Sequence, residues 1–254
     1  MDLEDTAFTT FEQFSKTGGK FHLVEKEGQK YIIKEVRTQV LTAHHLPWLY
    51  DQLLDYIHLM QKAGISLPEV QDHSLEEGKI TFTCKYEGKN IVQLIEGKKQ
   101  DVLLQEYLPL TNQVLAIIKK AQEHNVWMDP HIKNFVVNNN ENKDNNKIAS
   151  NIFYVDFSPP YGEAYNHQLI ENTHREHQEI AAQNLFCFHP KELGFHFAAD
   201  LLKENSNYLK IMPELYTLLH EEKIITGSFS KFIDHAEKIK QIEVERAEQG
   251  IYLI

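Results

Sequence analysis

Three polar residues stand where short apolar strands begin or end, and a fourth joins one of them through a short loop. Asp129 opens Asp129-Pro130-His131-Ile132-Lys133-Asn134, which runs directly into Phe135-Val136-Val137. An Asp and an Asn five residues apart, on a loop entering a strand, can converge on one point. The carboxylate can orient an attacking hydroxyl and accept its proton, and the amide oxygen can bind Mg²⁺. Asp156 closes the next apolar run, Ile152-Phe153-Tyr154-Val155, where a carboxylate can hold Mg²⁺ against nucleotide phosphates. Lys34 closes Tyr31-Ile32-Ile33, where an amine can meet a phosphate. Taken singly these are ordinary features, since strand-end lysines are commonly solvated and Asp-Pro and Asn are frequent in turns. Their order along the chain is what carries information.

The elements that must position them follow from periodicity. Phe8 to Phe14 reads as a first strand. Phe21-His22-Leu23-Val24 and Tyr31-Ile32-Ile33 flank Glu27-Gly28-Gln29, a hairpin turn. Leu46 to Lys62 has apolar residues three or four apart, which predicts an amphipathic helix capped by Gly64. Lys79 to Cys84 is a further strand. Leu108 to Glu123 predicts a helix, and four more are expected at 167–187, 190–204, 207–222 and 228–248. Between the two strands that bracket the candidate site lie seven Asn from 138 to 151, a solvated hairpin tip. Sheet first and helices after implies an α+β protein of two lobes, divided near Gly88.

The succession IIK at 32–34, DPHIKN at 129–134 and VDFS at 155–158 resembles the kinase fold, with a strand lysine, D-x-x-x-x-N, and D-F-G after a short hairpin. The resemblance spans roughly residues 8–162. His131, two after the Asp, is similar to the H-G-D-x-H-x-x-N loop of the aminoglycoside phosphotransferase-like small-molecule kinases. The resemblance implies a two-lobed kinase-like fold, with a small antiparallel-sheet N-lobe at 1–88 and a mainly helical C-lobe at 89–254. It implies an ATP- and Mg²⁺-dependent transfer of the γ-phosphate to a hydroxyl of a small molecule. Asp129 would be the catalytic base, Asn134 and Asp156 the Mg²⁺ ligands, and Lys34 the partner of the α- and β-phosphates. Gly18 and Gly19 fall where the nucleotide-covering loop belongs. The backbone of Cys84 and Tyr86 would bond the adenine at the hinge. Asp51 or Asp55 would offer Lys34 its helix acid.

Several residues depart from that pattern. The glycine loop is TGGK, the helix 46–62 has no Glu, Trp127 stands where the loop His is usual, and Ser158 replaces the Gly of D-F-G. No Arg precedes Asp129 and no A-P-E follows Asp156, which disfavours a protein acceptor and activation by loop phosphorylation. The alternatives are an ATP-binding pseudokinase with a scaffold role, a protein kinase, and a kinase-fold nucleotidyl transferase. Among fourteen histidines, His174 and His177 lie three apart on a predicted helix and read as solvated rather than as metal ligands. His131 reads as a support of loop geometry. A cationic acceptor would need acids in the cleft; Glu163, Glu171, Glu176 and Glu179 are at hand but read as a solvated helix face.

The net charge of −11 and pI near 5.7 disfavour nucleic acid as a partner. Two cysteines, an acidic start with no basic n-region, and the lack of an 18-residue apolar run lead to the expectation of a cytoplasmic protein with no membrane span. Nothing in the sequence fixes the oligomeric state.

Overall fold

The computed structural model describes residues 11–14, 20–36, 43–76, 78–95, 100–139, 150–157, 160–204 and 211–248. The chain opens with strands β1 (Phe11–Phe14), β2 (Lys20–Lys26) and β3 (Gln29–Val36). The β2–β3 turn places Glu27 and Gly28 at φ 54° and 76°, the left-handed pair that matches the twist of a two-residue hairpin. Helix α1 (Leu46–Lys62) follows, as the spacing predicted, then β4 (Val70–Glu76) and β5 (Lys79–Lys85). The sheet is antiparallel in the order β1-β2-β3-β5-β4. β4 escaped the sequence reading because Val70-Gln71-Asp72-His73-Ser74-Leu75-Glu76 is a polar edge strand, bulged between Val70 and Asp72. Edge strands need neither apolar alternation nor regular pairing.

Helix α1 buries Leu49, Leu53, Tyr56, Ile57 and Met60. A fully buried side chain of this size contributes about 1.5–3 kcal/mol, so this stripe fixes the helix against the sheet. On β3 and β5 the alternation places Lys34 and Val36, and Ile80, Phe82 and Cys84, inward. Lys34 pairs in register with Phe21 on β2 and Phe82 on β5, so the three side chains form one row across the sheet.

Gly88 leads from this sheet to β6 (Lys89–Asn90), which pairs with β7 (Phe135–Asn139), itself paired with β8 (Ser150–Tyr154). Gly88 has φ 138°, and a Cβ there would collide with the carbonyl oxygen of Val137 on β7. Only glycine fits both the conformation and the close approach.

Helices make up most of what remains: α2 (Ile91–Ile95), α3 (Gln100–Glu123), α4 (Glu163–Asn172), α5 (Gln178–Phe186), α6 (Leu193–Glu204), α7 (Met212–Glu221) and α8 (Phe229–Glu248). A small antiparallel sheet followed by a mainly helical remainder is the α+β architecture expected from the sequence. Two boundaries differ. Helix α3 runs on through Pro109 instead of starting beside it. The expected helix 167–187 breaks at Thr173, whose hydroxyl and N–H both donate to the carbonyl of Leu169 and end α4. No helix among the described residues is long and apolar enough to cross a membrane.

Candidate active site

Four of the residues singled out in the sequence meet at one place. Lys34 Nζ donates to Asp156 Oδ1 at 3.1 Å. Asn134 Nδ2 donates to Asp156 Oδ2 at 3.3 Å and to the carbonyl oxygen of Asp129 at 3.2 Å. The strand lysine, the D-x-x-x-x-N loop and the acid after β8 therefore form one continuous polar set, drawn from both sheets.

Packing holds each member. The Lys34 amine lies 5.4 Å from the centre of the Phe21 ring and 5.0 Å from that of Phe157. Phe157 in turn meets Phe82 edge to face at 5.3 Å. Phe157 thus carries the Asp156 backbone into the apolar row of the first sheet. The loop before β7 is anchored from below: the carbonyl of Asn134 accepts from the Val155 N–H at 2.9 Å, and the Asp129 N–H donates to the Tyr154 hydroxyl at 3.1 Å. Tyr56 of α1 donates its hydroxyl to the carbonyl of Trp127 at 2.5 Å, tying the helix to the loop. Burial, and the negative charges of Asp156 and Asp129, push the Tyr56 phenol well above its ordinary value, so it stays a donor.

Asp129 is buried and bonded through Oδ1 to both the backbone N–H (3.0 Å) and the ring Nδ1 of His131. Burial alone would raise its carboxyl; the charge and hydrogen bond of His131, with the charge of His196, outweigh burial and hold it well below the usual carboxylate range. Burial opposes charge on His131, but Asp129 and Asp200 outweigh it, and the imidazole is held well above its ordinary value. Asp156 goes the other way. Burial raises it, Lys34 lowers it, Asp129 raises it again, and the net direction is upward. Lys34, with the weaker pull of Lys133, leaves this carboxylate short of positive charge.

That shortfall, with the oxygen donors of Asp156 and Asn134, fits a hard divalent cation such as Mg²⁺. The Asn134 amide would turn its oxygen toward the cation, in place of the N–H it gives to Asp156. The further trio Asp129, His131 and His196 also lies close enough to share an ion. Its ring nitrogens are already committed, however: His131 to Asp129, Asp200 and Glu243, and His196 to Glu243 and the carbonyl of Cys187.

Other expected site residues lie elsewhere. Asp51 and Asp55 are exposed on α1, and no described contact joins either to Lys34, whose ion pair is with Asp156. The helix turns Leu49, Leu53 and Tyr56 inward, and the two acids fall off that stripe. Cys84 lies within the first sheet, opposite Ile32 on one side and Val70 on the other, so the ladder occupies its backbone. The Tyr86 N–H donates to the carbonyl of Lys30 at 3.0 Å, so that N–H is not open to a base. Gly18 and Gly19, Ser158, and most of the Asn-rich tip lie outside the described residues. Glu163, Glu171, Glu176 and Glu179 are all exposed. His174 and His177 each lie 3.4 Å from Glu176, as surface pairs.

Five buried participants escaped the sequence reading: Tyr56, Tyr154, His196, Asp200 and Glu243. A signal existed for three of them. His196 and Asp200 stand four apart in the otherwise apolar Leu193 to Leu202, and Glu243 continues the stripe Phe232, Ala236, Ile239. Polar residues in an apolar stripe point to buried partners.

No protein-family model matches the chain, and no curated protein is similar to it in sequence. Among solved structures, WaaP in complex with acyl carrier protein is similar over 91% of this chain and 89% of that one, at 12% identity and a TM-score of 0.41. The PknI kinase domain of Mycobacterium tuberculosis, carrying two substitutions, is similar over 94% and 99%, at 13% identity and a TM-score of 0.40. At such scores the likenesses carry no functional weight, and the chemistry is read from this chain's own residues.

Proposed function

We propose that this chain is an ATP- and Mg²⁺-dependent phosphotransferase acting on a hydroxyl of a small molecule. The supporting observation is the convergence of Lys34, Asp129, Asn134 and Asp156, brought from residues 122 apart at the extremes. Phosphoryl transfer asks a protein mainly for positioning and charge neutralisation. Lys34 is placed to neutralise phosphate oxygens, and Asn134 and Asp156 to hold Mg²⁺. The cation, when bound, supplies charge neutralisation on the phosphates. Asp129 orients the acceptor hydroxyl. As the hydroxyl oxygen bonds to the γ-phosphorus, the bond from that phosphorus to the β–γ bridging oxygen breaks and the hydroxyl proton passes to Asp129. A carboxylate with so low a proton affinity takes that proton late, which suits a loose transition state with little charge on the attacking oxygen.

The small-molecule acceptor rests on the missing Arg before Asp129 and the missing A-P-E segment. A second reading, nucleotide binding without transfer, draws support from the exposure of Asp51 and Asp55 on α1. Thermal unfolding with and without Mg²⁺ and ATP tests the nucleotide site. A ligand at a hundred times its Kd stabilises by about 2.7 kcal/mol, or roughly 5–10 °C for a chain of this size. The expected rise requires Mg²⁺ and vanishes in Asp156→Asn. Asp129→Asn keeps the rise and loses transfer. No rise with either ATP or GTP would refute the proposal; a rise without any phosphate transfer would select the second reading.

A further inference from the structure

Beneath the loop, charged and polar side chains from three distant segments meet out of water: Asp129 and His131, His196 and Asp200 of α6, and Glu243 of α8. His131 Nε2 lies 3.3 Å from Asp200 Oδ1 and 3.3 Å from Glu243 Oε1. Asp200 Oδ2 also accepts the Ile132 N–H at 2.8 Å. Glu243 Oε1 is 2.6 Å from His196 Nε2, and its Oε2 accepts from Lys203 Nζ at 3.2 Å. Both nitrogens of the His131 ring are thereby directed at acceptors, and the ring has one orientation that satisfies them.

That orientation reaches the reacting group. Oδ1 of Asp129 accepts twice from His131, while no described group bonds Oδ2. The ring fixes the plane of the carboxylate and decides which oxygen faces outward. Glu243 occupies a position where α8 otherwise buries Phe232, Ala236 and Ile239. A hydrocarbon side chain there would pack with that stripe but would take a carboxylate from His131 Nε2, His196 Nε2 and Lys203 Nζ together, so the acid at this position serves the polar cluster and not the apolar packing.

We propose that Glu243 is a positioning residue for phosphoryl transfer: with Asp200 it holds the His131 ring, and the ring ties down Oδ1 of Asp129 so that Oδ2 faces the acceptor hydroxyl. The inference rests on the function proposed above. It adds the last described helix, more than a hundred residues from the loop, to the machinery.

The test compares wild type, Glu243→Gln and Glu243→Leu for ATP turnover with water as acceptor, Mg·ATP affinity, thermal stability and the ¹⁵N–¹H signals of the histidine rings. Turnover is expected to fall about 10–100-fold in both variants, the scale of loss seen when the partner that orients a metal-bound histidine is removed. Mg·ATP affinity should stay within about twofold, because Lys34, Asn134 and Asp156 are untouched. The His131 signals should shift. Both variants should lose stability, Leu more than Gln, because His131, His196 and Lys203 lose a carboxylate partner, so Gln carries the comparison if Leu does not fold. Turnover within twofold of wild type in a folded variant would overturn the inference. So would unmoved His131 signals, or affinity falling in step with turnover. Wild-type turnover with variants within twofold of it would overturn the inference alone, whereas a wild type that binds Mg·ATP and transfers no phosphate would overturn the proposed transfer together with the inference. A wild type that binds none would overturn the proposed function as well, before any substitution is made.

Discussion

Removing the Lys34 amine exposes the energetics of the pair it forms with Asp156. The two side chains are 7% and 20% exposed, so water screens the pair weakly. Deleting one member of such a pair leaves the other charged and buried, at a cost of about 3–5 kcal/mol. Asp156 is partly open to water, and its carboxyl is already pushed up by burial, so it can take up a proton and limit the loss. The lower end, about 3 kcal/mol, is therefore expected for Lys34→Met, which keeps the apolar stem against Phe21 and Phe157. For a chain of this length that corresponds to a fall of roughly 6–12 °C in Tm. Asp156→Asn takes the described carboxylate from the buried ammonium and should cost about as much. The double variant removes both charges and should return to within about 1 kcal/mol of wild type, because a neutral replacement escapes desolvation. Denaturant unfolding of the four proteins at pH 7 completes the cycle. A double variant as unstable as the sum of the singles, about 6 kcal/mol down, would refute the reasoning. A stable double variant that no longer responds to Mg·ATP would mean that the pair is retained for ligand binding rather than for stability.

Gly88→Ala should cost at least about 3 kcal/mol, since the φ is a glycine conformation and the new methyl meets the Val137 carbonyl; a denaturation midpoint like that of wild type would show that the crossing between sheets relaxes freely. Stability should also decline as pH rises above about 6.5, the ordinary histidine value. His131 is held well above that value in the folded chain, facing Asp129, Asp200, Glu243 and the His196 ring, so its contribution is complete below 6.5 and fades as pH climbs toward its folded pKa. The limiting slope is about 1.4 kcal/mol per pH unit for one proton. Unfolding free energies that stay flat from pH 6.5 to 9, or a slope that persists in His131→Asn, would contradict the assignment.

The polar set at the site was legible because its members punctuate apolar strands. Asn134 immediately precedes β7, Asp156 follows β8 by two residues, and Lys34 stands two residues inside β3, where the strand alternation turns it inward. Helix α1 was equally legible from its stripe. The same stripe already sets Asp51 and Asp55, each two residues on from a buried leucine, on the other side of the helix, where both are exposed. Near Tyr86 the sequence marks the end of a strand but not which backbone N–H a neighbouring carbonyl takes, and Lys30 takes this one. The buried acids below the loop were written into α6 and α8, yet their partners lie in other segments. A lone Glu in an amphipathic helix is ordinarily a solvated residue.

The position of Glu243 also bears on how the chain acquires its site. A ribosome adds about 5–20 residues per second, so this acid emerges roughly 5–20 s after His131. Until then the loop has its aspartate and histidine but lacks the last counter-charge beneath them. The site is therefore among the final parts of the molecule to settle, and closing it requires contacts that are distant in sequence and slow to form. A nascent chain that has already formed its first sheet and α1 remains unable to hold Asp129 in its final pose, so competence arrives only when α8 docks.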